Sequence, residues 1–490
     1  MAAKNFIVAI ELGSTKITGI AGQKKPDGSI SVLAVVREDA TQCIRKGVVY
    51  NIDKTVQCIT NIVQHLRTQL HTGIKHVYVG VGGQSIHSER NIMVRDLTDG
   101  ASVSSDLVDD MMDANSALEY PEMEILDVIP QEYRADSLLQ IDPVGIQCSH
   151  LEGLYLNILQ NRRHYNKLNM CFEHAGVKIA ELYLAPFALA DAVLTAVEKR
   201  SGCVLIDLGA DTTTVMVYYK DIVRHIAVIP LGAGNITKDI CSLPVEESEA
   251  EKLKLKYASA YTAVEDIDTS MKYEIDSERI IDSSRFIELV EARVYEIIAN
   301  AWNQVPSEFS ERLMGGIILT GGGSNLKNID IAFRKQTNVE KVRIANFVTY
   351  TIVSNNSEVN AHDGTMNTAI GLLAKGDQNC WQPEETRTRG IFEDNSTTST
   401  EQSQTEEIET RDINDLPPGV ILTAAEKAAA EKKIAEAKAK EEAEKAAQEQ
   451  ARAEEEARAK AEADKNQKQG KGIMARVIKF FADVTKPDEE

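Results

Sequence analysis

Up to about residue 377 the chain alternates short apolar runs with polar or glycine-rich breaks, and beyond that point the apolar positions thin out almost to nothing. "NFIVAIELGSTKITGIAG" (5–22) places an apolar run, a tight Leu-Gly turn with hydroxyl residues, then a second apolar run. "GCVLIDLGADTTTVMVYYKD" (202–221) repeats that layout, IELGSTK aligning with IDLGADT. Both predict strand–turn–strand hairpins, and their separation makes them an internal duplication rather than a solenoid repeat. "GGIILTGGGSNLKNI" (315–329) predicts a buried strand, three glycines and a helix. In "SSRFIELVEARVYEIIANAWNQV" the residues Phe286, Leu289, Val290, Val294 and Ile297 recur at helical spacing, predicting a core-facing stripe. Another helix is expected to start at an N-cap on Ser105 or Asp106.

The tail follows other rules. Residues 378–423 are dominated by stretches such as "EDNSTTSTEQSQTEEIET", which cannot bury enough surface to order themselves, and predict a disordered linker. Residues 424–464 are Ala/Glu/Lys/Arg with Ile434 as the only large apolar side chain, predicting a charged single helix held by Glu–Lys pairs rather than a coiled coil. Then "GIMARVIKFFADV" (472–484) restores an apolar face: Ile473, Met474, Val477, Ile478, Phe480, Phe481 and Val484 share one side of a helical wheel. Arg476, Lys479 and Asp483 lie on the other side, and Lys465, Lys468, Lys471 and Lys486 flank the stretch. Over residues 470–486 this predicts an amphipathic helix lying in a membrane surface, too short to span one.

Length and charge narrow the classes. The 490 residues allow about three globular units, of which the tail is none. A net charge of −21 argues against a nucleic-acid partner. It does not oppose an anionic membrane, since screening over a Debye length of ~10 Å leaves the local basic cluster dominant. The seven cysteines have no metal-ligand or CxxC spacing and read as reduced thiols of a cytoplasmic protein, and the N-terminus enters a strand without a signal-peptide pattern.

The two hairpins invite phosphate chemistry. Gly13 and Gly209 let the backbone approach a ligand with amide N–H groups turned inward, Ser14, Thr15 and Thr212 add hydroxyls, and Lys16 adds a point charge. Glu11 and Asp207 stand at strand ends, where carboxylates suit a hydrated Mg²⁺. Singly, E-L-G and D-L-G are ordinary hairpin turns, and Gly321-Gly322-Gly323 lacks the spacing of a dinucleotide or P-loop fingerprint. Two matched hairpins followed by strand–GGG–helix are a far more specific signal.

IELGSTK, IDLGADT and ILTGGGS resemble the phosphate-1, phosphate-2 and adenosine motifs of the ATPase fold shared by actin, the heat-shock chaperones and sugar kinases. Within it, "VYVGVGGQSIHSERN", "DVIPQEYRAD", "IDPVGIQCSHLEG", "LGAGNITKDI", "EAEKLKLKYASA" and "TAIGLLAKG" resemble, in order, segments of the bacterial cell-division FtsA family. The resemblance covers residues 5–376. It implies an α/β fold of two lobes, each on a five-stranded sheet of ribonuclease-H type. Its parts are subdomain IA at 1–85 and 165–200, an FtsA-type IC at 86–164, IIA at 201–245 and 315–377, and IIB at 246–314. It also implies ATP and Mg²⁺ as ligands. Ala210, Asp211, Gly234, Asn235 and Ser324 then join the residues above around the nucleotide, with Glu251 for ribose hydroxyls and Lys254 packing its stem on adenine. Further implications are self-association into filaments, FtsZ (through its C-terminal tail) at IIB, other divisome proteins at IC, and Arg293 at a subunit or partner contact. The tail helix implies a peripheral position on the inner face of the cytoplasmic membrane at the division site.

Two departures from the pattern matter. Glu11 stands where the family usually has Asp. In "LAPFALADAVL" (184–194), Ala185 occupies the place of the glutamate that orients the attacking water in the chaperones and in MreB, a group typically contributing ~10²–10⁴-fold, so slow ATP turnover is expected at best. A sugar or acetate kinase would need an acceptor pocket with a catalytic carboxylate. A chaperone would need a β-rich domain after residue 377.

Overall fold

A computed structural model describes residues 5–98, 100–263, 272–274, 279–383 and 416–430, with the single positions 265, 411, 414, 432 and 433. The amphipathic helix expected at 470–486, its membrane-facing residues, and most of the charged rod lie outside the described residues. The chain divides into two compact units, 1–406 with 411–424, and 407–410 with 425–490. In the second, residues 425–430 are helical. Among the described residues all the sheets belong to the first.

The first unit is a two-lobed α/β structure. In the first lobe the apolar run Ile7–Leu12 pairs antiparallel with Lys16–Lys24 and parallel with His76–Val81. Ile30–Asp39 flanks one side and Lys178–Leu184 the other, giving the expected five strands. The sheet is extended to seven by two short edge strands, Ile352–Val353 and Val420–Ile421. Its helices lie close. Ile52–Leu70 is N-capped by Asn51, whose side chain accepts from Lys54 N, and buries Thr55, Ile59, Ile62, Val63, Leu66 and Leu70 at helical spacing. It approaches so near that a Cβ at Gly19 would stand 2.3 Å from Ile62 Cγ2.

The second lobe repeats the plan, with Cys203–Leu208 between Thr213–Tyr219 and Gly316–Thr320, and with Ile222–Ile229 and Val342–Ile344 outside them. Its core takes the predicted stripe of helix Ser283–Asn303: Phe286, Val290, Val294 and Ile297 are buried and Leu289 packs at the margin. The inserted domain carries four strands that continue this same sheet, joined where His87 meets Ala227, so the sheet has nine strands instead of five. Its helix, Ser105–Ser116, is capped by Ser104, one residue before the expected cap, because the Ser104 hydroxyl is the one that reaches Leu107 N, at 3.2 Å.

Two boundaries differ from expectation. The stretch assigned to IIA up to 377 returns to the first lobe after Ala345: Ile352–Val353 pairs with Ile30–Ser31, and helix Asn367–Lys375 buries Ile370, Leu372 and Leu373 in the first core. The linker expected over 378–423 is ordered at both ends. Trp381–Gln382 pairs with Gly73–Ile74, and "LPPGVIL" (416–422) has the apolar residues that the polar centre lacks, with Val420, Ile421 and Leu422 all buried. All seven cysteines are free thiols. Among the described residues no helix is long and apolar enough to cross a membrane.

Candidate functional site

The two predicted hairpins superpose in register. Gly13 N donates to Lys16 O at 3.1 Å, and Gly209 N donates to Thr212 O at 2.9 Å. A Cβ would lie 2.7 Å from Lys16 O at Gly13 and 2.8 Å from Thr212 O at Gly209, so both turns need glycine for the same steric reason. Glu11 is paired with Thr18, and Asp207 with Thr214. The parallel neighbours match as well: Glu11 sits beside Gly80 and Asp207 beside Thr320, and each neighbouring strand runs on into glycines, Gly82-Gly83 and Gly321-Gly322.

These turns enclose a cavity of about 250 Å³ between the lobes. Glu11, Gly13, Ser14, Thr15 and Lys16 line it from one lobe, and Asp207, Gly209, Ala210, Thr212, Gly321 and Gly322 from the other. A loop of the first lobe ties the two turns together: Gly47 N donates to Ser14 Oγ at 2.8 Å, and Lys46 N to Asp211 Oδ2 at 3.2 Å. Asp211, Gly234, Asn235 and Ser324 are not among the residues lining this 250 Å³ cavity; they brace the ones that are. Gly234 N donates to Ala210 O, Asn235 Oδ1 accepts from Gly232 N, and Ser324 Oγ donates to Gly321 O.

Glu11 and Asp207 are the carboxylates of this cavity. Burial raises the Glu11 carboxyl to about 7, with the charge of Asp207 adding to the rise and Arg37 and Thr368 opposing it. Burial alone raises Asp207 to about 6. Two carboxyls that resist ionising in one polar pocket fit a divalent cation, which would offset both charges. Among the described residues no cluster of three or more His, Cys, Asp or Glu could hold a metal by itself. Ala185 opens its helix on the wall of the same cavity, and no carboxylate stands there.

A second, wider cavity of about 800 Å³ meets the first at Gly322, and Gly323, Glu251 and Lys254 line it. Lys254 Nζ lies 2.7 Å from Glu251 Oε2, 2.9 Å from Thr237 Oγ1 and 3.3 Å from Ala233 O. Its charge is satisfied by the protein, which leaves the methylene stem for an apolar ligand face. Arg293 is also engaged within the chain, holding Asp239 through Nε at 2.5 Å and Nη2 at 3.0 Å, and contacting Glu296.

Sequence reasoning missed Thr18, Thr214, Arg37, Gly82, Gly83, Gly364, Thr365 and Thr368, all on the 250 Å³ cavity. Thr18 and Thr214 were within reach, since each follows its acid at the same spacing in the aligned hairpins. Arg37 was not: it enters as the cross-strand neighbour of Thr18 and donates to Thr365 Oγ1 at 3.3 Å.

The sequence pattern of the family described as "Cell division protein FtsA" matches residues 204–371, and that of the "SHS2 domain inserted in FTSA" matches residues 83–159. The Cell division protein FtsA of Porphyromonas gingivalis is 31% identical over 394 residues, covering 78% of this chain and 80% of that protein. That of Neisseria meningitidis is 30% identical over 334 residues, covering 66% and 80%. Among solved structures, a chain of the "PilM-PilN type IV pilus biogenesis complex" shares the fold, with a TM-score of 0.53 at 15% identity over 76% of this chain and 98% of its own length.

Proposed function

The chain belongs to the FtsA cell-division family and carries its actin-like fold with the SHS2 insertion, and on that premise we propose that it binds ATP with Mg²⁺, self-assembles, and tethers FtsZ filaments to the cytoplasmic membrane during division. One observation carries the nucleotide part: two hairpins of the same register bring paired glycine turns and two half-buried carboxyls onto one cavity. The amides of Ser14, Thr15, Ala210 and Asp211, between the ends of the two turns, would hold phosphates together with Lys16. Glu11 and Asp207 would hold Mg²⁺ through water, and bound Mg²⁺ would neutralise phosphate charge. Gly322 and Gly323 leave room for the nucleoside, Glu251 would accept from ribose hydroxyls, and the Lys254 stem would pack on the base. Since Ala185 supplies no base for water, the nucleotide serves as a ligand that biases lobe closure, with slow hydrolysis at best.

The membrane part rests on the apolar face Ile473–Val484 and its basic flanks, and the FtsZ and divisome contacts, at IIB and IC, rest on family membership. Co-sedimentation with vesicles containing phosphatidylglycerol, with and without FtsZ, tests the tether. FtsZ should pellet only when the full chain and the anionic vesicles are both present. FtsZ pelleting unaffected by the chain would overturn the reading.

A further inference from the structure

The outer edge of the first sheet is closed by a strand from the far end of the chain. Tyr183 lies opposite Val420 and Leu182 opposite Ile421. Leu184 N donates to Gly419 O at 2.7 Å. From the inserted domain, buried Asp127 Oδ2 accepts from Gly419 N at 2.7 Å. Tyr165 Oη donates to Leu422 O, and Ala424 N donates to Asn169 Oδ1 at 3.2 Å. Gly419 takes φ +88°, and a Cβ there would lie 2.8 Å from Phe187 Cβ, so the groove demands glycine at this point and three apolar residues after it. The receptor is built: a carboxyl raised to about 6 by burial is held down by the strand's own amide and by Val128 N. The strand bridges the first lobe and the inserted domain, and residues 383–419 separate it from the preceding paired segment, Trp381–Gln382.

None of these contacts depends on groove and strand belonging to one molecule. We infer that the groove also takes this strand from a second copy, so that residues 416–424 exchange between neighbouring subunits and link them edge to strand. Covalent connection gives the resident strand an effective concentration of order mM, and subunits packed along a polymer reach comparable local concentrations. Exchange of an identical element then trades equal contacts at low cost, and it keeps the sheet edge covered throughout. The inference rests on the self-assembly part of the proposed function and supplies a linking element for it.

Cysteine cross-linking of the full chain tests it. Val420 and Tyr183 form a pair without mutual ladder hydrogen bonds, flanked by the Leu184–Gly419 bond, a geometry whose short Cα separation suits a disulfide. Chains carrying only Tyr183→Cys are mixed with chains carrying only Val420→Cys and treated with diamide, which takes two electrons and two protons from each thiol pair. The double variant, wild type and each single variant alone serve as controls, and pelleting is followed on the same samples. The expected result is an interchain dimer confined to the mixture, rising with assembly on phosphatidylglycerol vesicles and suppressed by a peptide of residues 416–424. If the double variant closes its intrachain bond while an assembled, pelleting mixture gives no dimer, exchange is wrong and self-assembly stands. If the mixture neither pellets nor cross-links, both fail. A double variant that does not close would remove the pairing itself.

Discussion

Glu11 and Asp207 stand at the same register position in two copies of one hairpin, one per lobe, and the charge of Asp207 adds to the burial that raises Glu11 to about 7. In the ligand-free chain burial makes folding favour the protonated acids, and for Glu11 the charge of Asp207 adds to it. The stability they contribute is fully present below their unfolded values, near 4, and is lost as pH rises through about 6 and 7. Mg²⁺–nucleotide needs both groups ionised, so its binding should weaken as pH falls below about 7. Thermal unfolding with and without Mg²⁺–ATP from about pH 5.5 to 8 should therefore show a gap that widens with pH. A gap of constant size would sink the metal assignment.

Neighbouring glycines should separate folding from binding. A Cβ at Gly322 meets only Thr365 Cγ2 at 3.6 Å, whereas Gly321 has φ +81° and its Cβ would stand 2.2 Å from Asp207 Oδ1. Gly322→Val should thus keep the melting temperature yet lower ATP affinity by about tenfold or more, as read by calorimetry. Gly321→Ala should lose about 1–3 kcal/mol of stability as well. Equal ATP affinity in wild type and Gly322→Val would argue that no nucleoside passes that point.

One connection between the lobes runs through helix Ala196–Ser201, and Glu198 on it is gripped by Arg343 at 2.6 and 2.8 Å. Although burial pushes its carboxyl up, hydrogen bonds from Arg343 and Thr195 prevail and hold it at about 2. Its contribution is present above the unfolded value near 4.5 and is lost as pH falls toward 2. Glu198→Ala should cost about 3 kcal/mol in urea unfolding at neutral pH, and the deficit should shrink in acid. A deficit that does not change between neutral pH and about pH 3 would show that the pair is not what the substitution removes.

The tail should behave as a weak anchor that assembly strengthens. Half-burying seven apolar side chains at ~1 kcal/mol each, less the cost of ordering the helix, leaves reversible binding that many linked tails make firm. Phe481→Asp or Ile478→Glu should release the protein from anionic vesicles in flotation while sparing ATP binding. A chain ending at Gly470 that still floats with vesicles would refute the anchor.

Local chemistry was readable in the sequence wherever a feature closes within a few residues. The glycine turns at Gly13 and Gly209, the acids two residues before them and the stripe of helix Ser283–Asn303 all follow from nearest-neighbour geometry and periodicity. Tertiary structure decided what distant segments share. Arg37 reaches the cavity because Thr18 pairs with it, and Thr365 and Thr368 because the helix Asn367–Lys375 recrosses to the first lobe. Neither is encoded in spacing, since contact across hundreds of residues depends on how sheets stack. The upward shift of the Glu11 and Asp207 carboxyls is likewise a property of their surroundings in the folded chain, absent from either hairpin alone. The strand at Val420 shows the division most sharply. Its apolar residues were visible, but a two-residue ladder has no periodicity to announce it, and only the groove between Tyr183 and Asp127 turns those residues into a strand.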